Sequence, residues 1–197
     1  MTRRRIAATA VALALSAIVS IGCESAAPVA TAVLPAGGEF TLTDHDGKPF
    51  TLASQRGKVV LIFFGYSSCP DACPTTLSKL STAVRRLGED GKRVRALYVS
   101  VDPERDTPEV LKADLANFTL DAVGLTGTKG QIDRVVQQYG ASYKIVPTPQ
   151  SAAKYTISHT TAVFALDPQG HVNRTFAYEA SVDDVVRGIR EILSNAS

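Results

Sequence analysis

Residues 59–64 read VVLIFF, six apolar residues with no polar one between them. A half-buried strand alternates apolar and polar side chains; an unbroken β-branched and aromatic run predicts a strand covered on both faces. Strands of that kind belong to parallel sheets, and a parallel neighbour must be reached through a crossover, usually a helix. The chain supplies one. Leu77, Leu80, Val84 and Leu87 recur at helical spacing, Gly88 ends the segment, and Pro74 suits a first helical turn, where a missing N–H costs nothing. VRALYVSVD at 94–102 then reads as the second main strand.

The rest of the chain extends this unit. FTLTDHDGKPFTL alternates on both sides of Asp46-Gly47 and predicts an N-terminal hairpin. A helix is expected over 107–118, with Thr107 as N-cap and Pro108 at the first helical position. AVGL at 122–125 reads as a short strand, and 131–140 as a helix closed by Gly140. Residues 161–178 give two strands around a Pro-Gln-Gly turn, and 181–193 a final amphipathic helix capped by Ser181. A β-α-β-α order followed by a hairpin and a last helix is the arrangement of the thioredoxin fold. The expected class is therefore α/β, thioredoxin-like, with an added N-terminal β-hairpin and an inserted helix.

The first residues read as an export signal. Arg3, Arg4 and Arg5 precede Ile6–Ile21, an uncharged apolar run too short for the roughly 20 residues of a bilayer span. The run ends in SIGC, and a small residue before Cys23 resembles a bacterial lipoprotein signal, with Ser20 where leucine is usual. On that reading residues 1–22 are removed and Cys23 is lipidated. Residues 23–38, rich in small residues, Pro and Gly, then tether domain 39–197 to the outer face of the cell membrane. An ordinary secretory signal would instead leave Cys23 as a spare thiol. Without residues 1–22 the chain has 18 basic and 19 acidic residues, with no basic patch for nucleic acid.

With Cys23 carrying lipid, the exported domain holds only Cys69 and Cys73, within FFGYSSCPDACPTT, an even pair in an oxidising compartment. They lie between a strand's C-terminal end and a helix N-terminus, where the dipole favours a thiolate. A disulfide closing so small a loop removes little unfolded-chain entropy, so a structural staple is the poorest reading. Thiol–disulfide enzymes of this fold usually place two residues between their cysteines; here there are three. The threonine that precedes a peroxidatic cysteine by three is missing too: Tyr66 and Pro70 hold those positions.

Two thiolates need a third partner to make a selective metal site. The one methionine is Met1, so a histidine or a carboxylate must serve. His45 and His171 fall in turns and read as solvated; His159, just before an apolar strand, falls at a junction that faces the cysteine loop in this fold. Two sulfurs and an imidazole suit copper as Cu(I) or Cu(II), and zinc with an open position is chemically open as well.

FFGYSSCPDACPTT, YVSVDPERDTPEVL and YTISHTTAVFALDPQG together closely resemble the Sco/SenC family, copper-binding thioredoxin-like proteins of cytochrome c oxidase assembly. The resemblance covers about residues 39–193 and implies copper ligation by Cys69, Cys73 and His159. It further implies delivery of copper to the binuclear site of oxidase subunit II or another extracytoplasmic copper protein, or reduction of that partner's cysteines. A copper donor and a thiol reductant are then further partners. Many members carry aspartate just before the ligand histidine, where this chain has Ser158. Asp71 reads as a helix-start residue satisfying backbone N–H groups, and Asp102 and Arg105 as holding the loop beside the site.

Overall fold

A computed structural model describes residues 36–196. The signal segment 1–22, Cys23 and nearly all of the tether lie outside the described residues. The expected hairpin forms from β1 (Thr41–Asp44) and β2 (Pro49–Thr51). Asp44 shapes its turn by accepting from the N–H groups of Asp46 and Lys48 at 2.9 and 2.8 Å.

The apolar run becomes β3 (Val59–Gly65), buried at every position. Helix α1 (Ala72–Arg86) follows, then a 3-10 segment at Gly88–Arg93, and β4 (Val94–Ser100) runs parallel to β3. Gly88 sits at φ +62°, the left-handed conformation that ends the helix. After α2 (Pro108–Leu115), capped by the Thr107 side chain, comes β5 (Ala122–Thr126), parallel to β4. Helix α3 (Lys129–Gln138) is the inserted helix, opened by a Thr128–Gln131 capping box.

The next element was not expected from the sequence. β6 (Tyr143–Pro147) and β7 (Tyr155–His159) pair antiparallel as a separate two-stranded sheet. The chain then enters β8 (Val163–Leu166), β9 (Val172–Phe176) and α4 (Val182–Asn195), whose cap is Ser181. The main sheet has the order β2-β1-β5-β4-β3-β8-β9, with β3 near its middle. This is the thioredoxin-like α/β fold with the two expected additions. Leu61, Ile62, Phe63 and Phe64 are each at most 1% exposed, and burying such side chains contributes about 1.5–3 kcal/mol apiece. Among the described residues no helix is long and apolar enough to cross a membrane.

Candidate metal centre

The C-terminal end of β3 runs into Tyr66–Asp71, and this loop carries Cys69 to the start of α1. Helical spacing does not relate the two cysteines, because α1 begins only at Ala72. Cys73 is its second residue, 3% exposed, while Cys69 is half-buried in the preceding loop. Both are free thiols. The Cys73 N–H donates to Cys69 Sγ at 3.5 Å, so the outer sulfur rests on the helix N-terminus as expected.

His159 closes the triangle. It is the last residue of β7, and its Nε2 lies 3.5 Å from Cys73 Sγ. The ligand atoms of Cys69, Cys73 and His159 all lie within 4.8 Å of one another. Nδ1 lies 3.0 Å from the Thr160 carbonyl, to which it donates, and this contact turns Nε2 toward the sulfurs. Phe63 and Tyr66 brace the imidazole edge-on at centroid distances of 6.0 and 5.8 Å. His45 and His171 stay apart from this group. His171 is exposed, but His45 is not merely solvated: its Nδ1 accepts from the Gly124 N–H at 3.0 Å and ties the hairpin turn to β5.

The two thiols are unlike. The Cys73 thiol donates to Cys69; contact with His159 and the N–H groups of Asp71 and Cys73 add to this, so Cys69 falls well below an ordinary thiol despite partial burial. Cys73 moves the other way, because it keeps the shared proton and because it is buried. One thiolate is therefore ready in the metal-free protein, and the second forms only when something replaces the proton. An open cleft of about 280 Å³ leads to the outer pair, lined by Tyr66, Cys69, Pro70, Asp71, Ser158 and His159. A hollow of about 330 Å³ between Phe40 and Gln138 is slightly larger but holds no sulfur or imidazole.

The walls are held by hydrogen bonds that sequence reasoning found only in part. Arg105 pairs with Asp102, donates to the carbonyls of Ala153 and Tyr155 at 3.1 and 3.2 Å, and stacks 3.8 Å from the Tyr155 ring. Tyr155 in turn donates to Asp102 at 2.8 Å. Tyr66 accepts from the Ile157 N–H at 3.2 Å and lies 2.7 Å from Thr156 Oγ1, joining the cysteine loop to β7. Asp106, missed from sequence, is fully buried and accepts from Ser67 N–H at 3.1 Å, Ser67 Oγ at 2.5 Å and Ser100 Oγ at 2.6 Å. The signal was there in DPERDTP, which holds a second aspartate four residues after Asp102. Asp71 does not cap α1 with its side chain as expected; it accepts from Thr75 Oγ1 at 3.4 Å instead.

Known proteins share this sequence pattern and fold. Residues 29–194 match the family described as SCO1/SenC. The mitochondrial protein SCO2 of Saccharomyces cerevisiae is 38% identical over 135 residues, which are 68% of this chain and 45% of that protein. The chain thus spans less than half the length of that relative. The structure of Bradyrhizobium japonicum ScoI with copper bound is 38% identical at a TM-score of 0.72, covering 80% of this chain and 99% of that one. BsSco, described through a disulfide switch and as a member of the Sco family of cytochrome c oxidase assembly proteins, is 26% identical at a TM-score of 0.65, covering 82% and 95%. With most of its length matched by one family model and the same fold shared with solved members, the chain belongs to the SCO1/SenC family.

Proposed function

We propose that this protein is a copper carrier of the extracytoplasmic space, binding one copper ion through Cys69, Cys73 and His159. The observation that carries this is the convergence of two sulfurs and a correctly turned imidazole within 4.8 Å, a donor set suited to copper. The copper-bound relative supports the choice of copper over zinc. Delivery goes by ligand exchange: an acceptor thiolate entering from the cleft displaces one protein ligand at a time, and the ion is never free. The proposed acceptor is cytochrome c oxidase subunit II or another extracytoplasmic copper protein, with a separate copper donor and a thiol reductant. Cleavage after residue 22, lipid on Cys23 and the tether 23–38 would hold domain 39–197 at the membrane surface.

A second reading rests on the inequality of the thiols. Cys69, the accessible thiolate, attacks a partner disulfide; Cys73 then gives up its proton and displaces the partner's second sulfur. The products are the partner dithiol and a Cys69–Cys73 disulfide. Copper titration of the reduced protein beside His159→Ala separates the two. One equivalent bound, with the Cu(II) thiolate absorption and the Cu(I) affinity both weakened by the substitution, supports the carrier. Weak binding that ignores His159, together with rapid reduction of a partner disulfide, supports the reductase.

A further inference from the structure

Tyr98, near the end of β4, is 1% exposed, and among the described residues its hydroxyl has no hydrogen-bond partner. A buried tyrosine ordinarily brings its O–H to an acceptor, so an orphan at this depth calls for one. The ring stands opposite Phe63 in the parallel register, at a centroid distance of 6.0 Å. Gly65, two residues along β3, shows where the hydroxyl points. A Cβ on Gly65 would lie 2.7 Å from Tyr98 Cε2, 2.9 Å from Tyr98 Oη and 2.8 Å from Cys73 Sγ. Hydroxyl and sulfur therefore face one small space, which only a residue without a side chain leaves open. Gly65 is needed here for room and not for its backbone, since its φ is not positive.

As a thiol, Cys73 spends its proton on Cys69. As a thiolate it only accepts, and at 3% exposure water does little for it.

We propose that Tyr98 is a positioning residue for the metal thiolate: its O–H donates to Cys73 Sγ whenever copper holds that sulfur deprotonated. The inference rests on the copper reading of the site. A hydrogen bond of this kind withdraws electron density from sulfur, lowers its donor orbital and moves thiolate-to-Cu(II) absorption to higher energy. It also favours the deprotonated ligand, and losing such an outer contact weakens metal binding about tenfold or more.

The test compares the full chain in detergent with Tyr98→Phe, which keeps the ring and removes only the oxygen, and with His159→Ala as the site control. Three quantities are read: the position of the Cu(II) thiolate band, the Cu(I) affinity by chelator competition, and the metal-free melting temperature. The expected result for Tyr98→Phe is a band at longer wavelength, a Cu(I) affinity about tenfold lower, and a metal-free melting temperature that does not fall. A purely packing role would lower that temperature and leave the band in place, and this result overturns the proposal. An intact wild-type band that His159→Ala weakens and Tyr98→Phe leaves unmoved, at unchanged affinity, overturns this inference alone. A wild-type chain with no thiolate band overturns the copper reading and this inference with it.

Discussion

Replacing Asp106 by alanine tests whether the cysteine loop is held from below. The carboxylate serves three donors, the N–H and hydroxyl of Ser67 and the hydroxyl of Ser100, and Ser100 is fully buried. Each donor deprived of its acceptor costs on the order of 1 kcal/mol, so the substitution should destabilise the metal-free protein by about 3 kcal/mol. In a domain of this size each kcal/mol lowers the melting temperature by about 2–4 °C, which predicts a fall of roughly 6–12 °C by calorimetry. The pH dependence adds a signed check through Asp106→Asn. Burial holds the Asp106 carboxyl above the ordinary aspartate value, although Ser100 and Ser67 oppose the shift. With the folded value above the unfolded one, the stability tied to this group is full below the unfolded pKa and is lost as pH rises through the folded one. Asparagine cannot ionise, so the advantage of wild type over Asp106→Asn should narrow from acid toward neutral pH in urea titrations. An alanine variant that melts within 2 °C of wild type, or a gap that widens with pH, refutes this account of the loop.

In the reduced metal-free protein, Cys69 should react with iodoacetamide at nearly constant rate between pH 5 and 8, since its thiol ionises well below that window, while Cys73 stays unmodified. A Cys69 rate that climbs tenfold per pH unit would contradict the low value. Tyr66→Phe removes the hydroxyl that accepts from Ile157 N–H, and should cost about 1–2 kcal/mol in chemical denaturation while weakening copper binding; unchanged values for both would show that the clamp on β7 is idle. Ser181→Ala deletes one side of the capping box of α4 and should cost about 1 kcal/mol in the same assay without touching copper binding; a loss of copper binding would show that the cap serves the site.

The elements built from strong local signals were legible in the sequence. VVLIFF could only be a doubly covered strand, and Thr107, Pro108 and Ser181 announced their helices. His159 could be placed near the cysteines, yet not on the strand that carries it. The β6-β7 hairpin escaped because Lys144–Pro147 is exposed and Pro147-Thr-Pro-Gln-Ser reads as a loop, with no buried face to impose a period of two. Cys69 and Cys73 stand four residues apart, but no helical turn joins them, because α1 starts only after the first of them. Asp106 and Tyr98 were hidden for another reason: one acid in a turn and one aromatic in a strand look ordinary until the fold sets them under the loop and behind the sulfur.

The two-sheet construction grades how firmly the three donors are anchored. Cys73 is embedded at the root of a fifteen-residue helix against the main sheet, Cys69 hangs on a short loop, and His159 ends a hairpin whose outer strand is exposed from Lys144 onward. Tyr66 and Arg105 tie β7 to the neighbouring loops at the rim of the cleft, whereas displacing Cys73 means opening the core. Stiffness therefore sets the helix sulfur apart from the other two donors: Cys73 is the deep anchor, and Cys69 and His159 are the pair that line the cleft. Under the proposed carrier role, a bound ion would exchange its ligands on the cleft side while one deep tether keeps it from escaping before the next protein has taken hold.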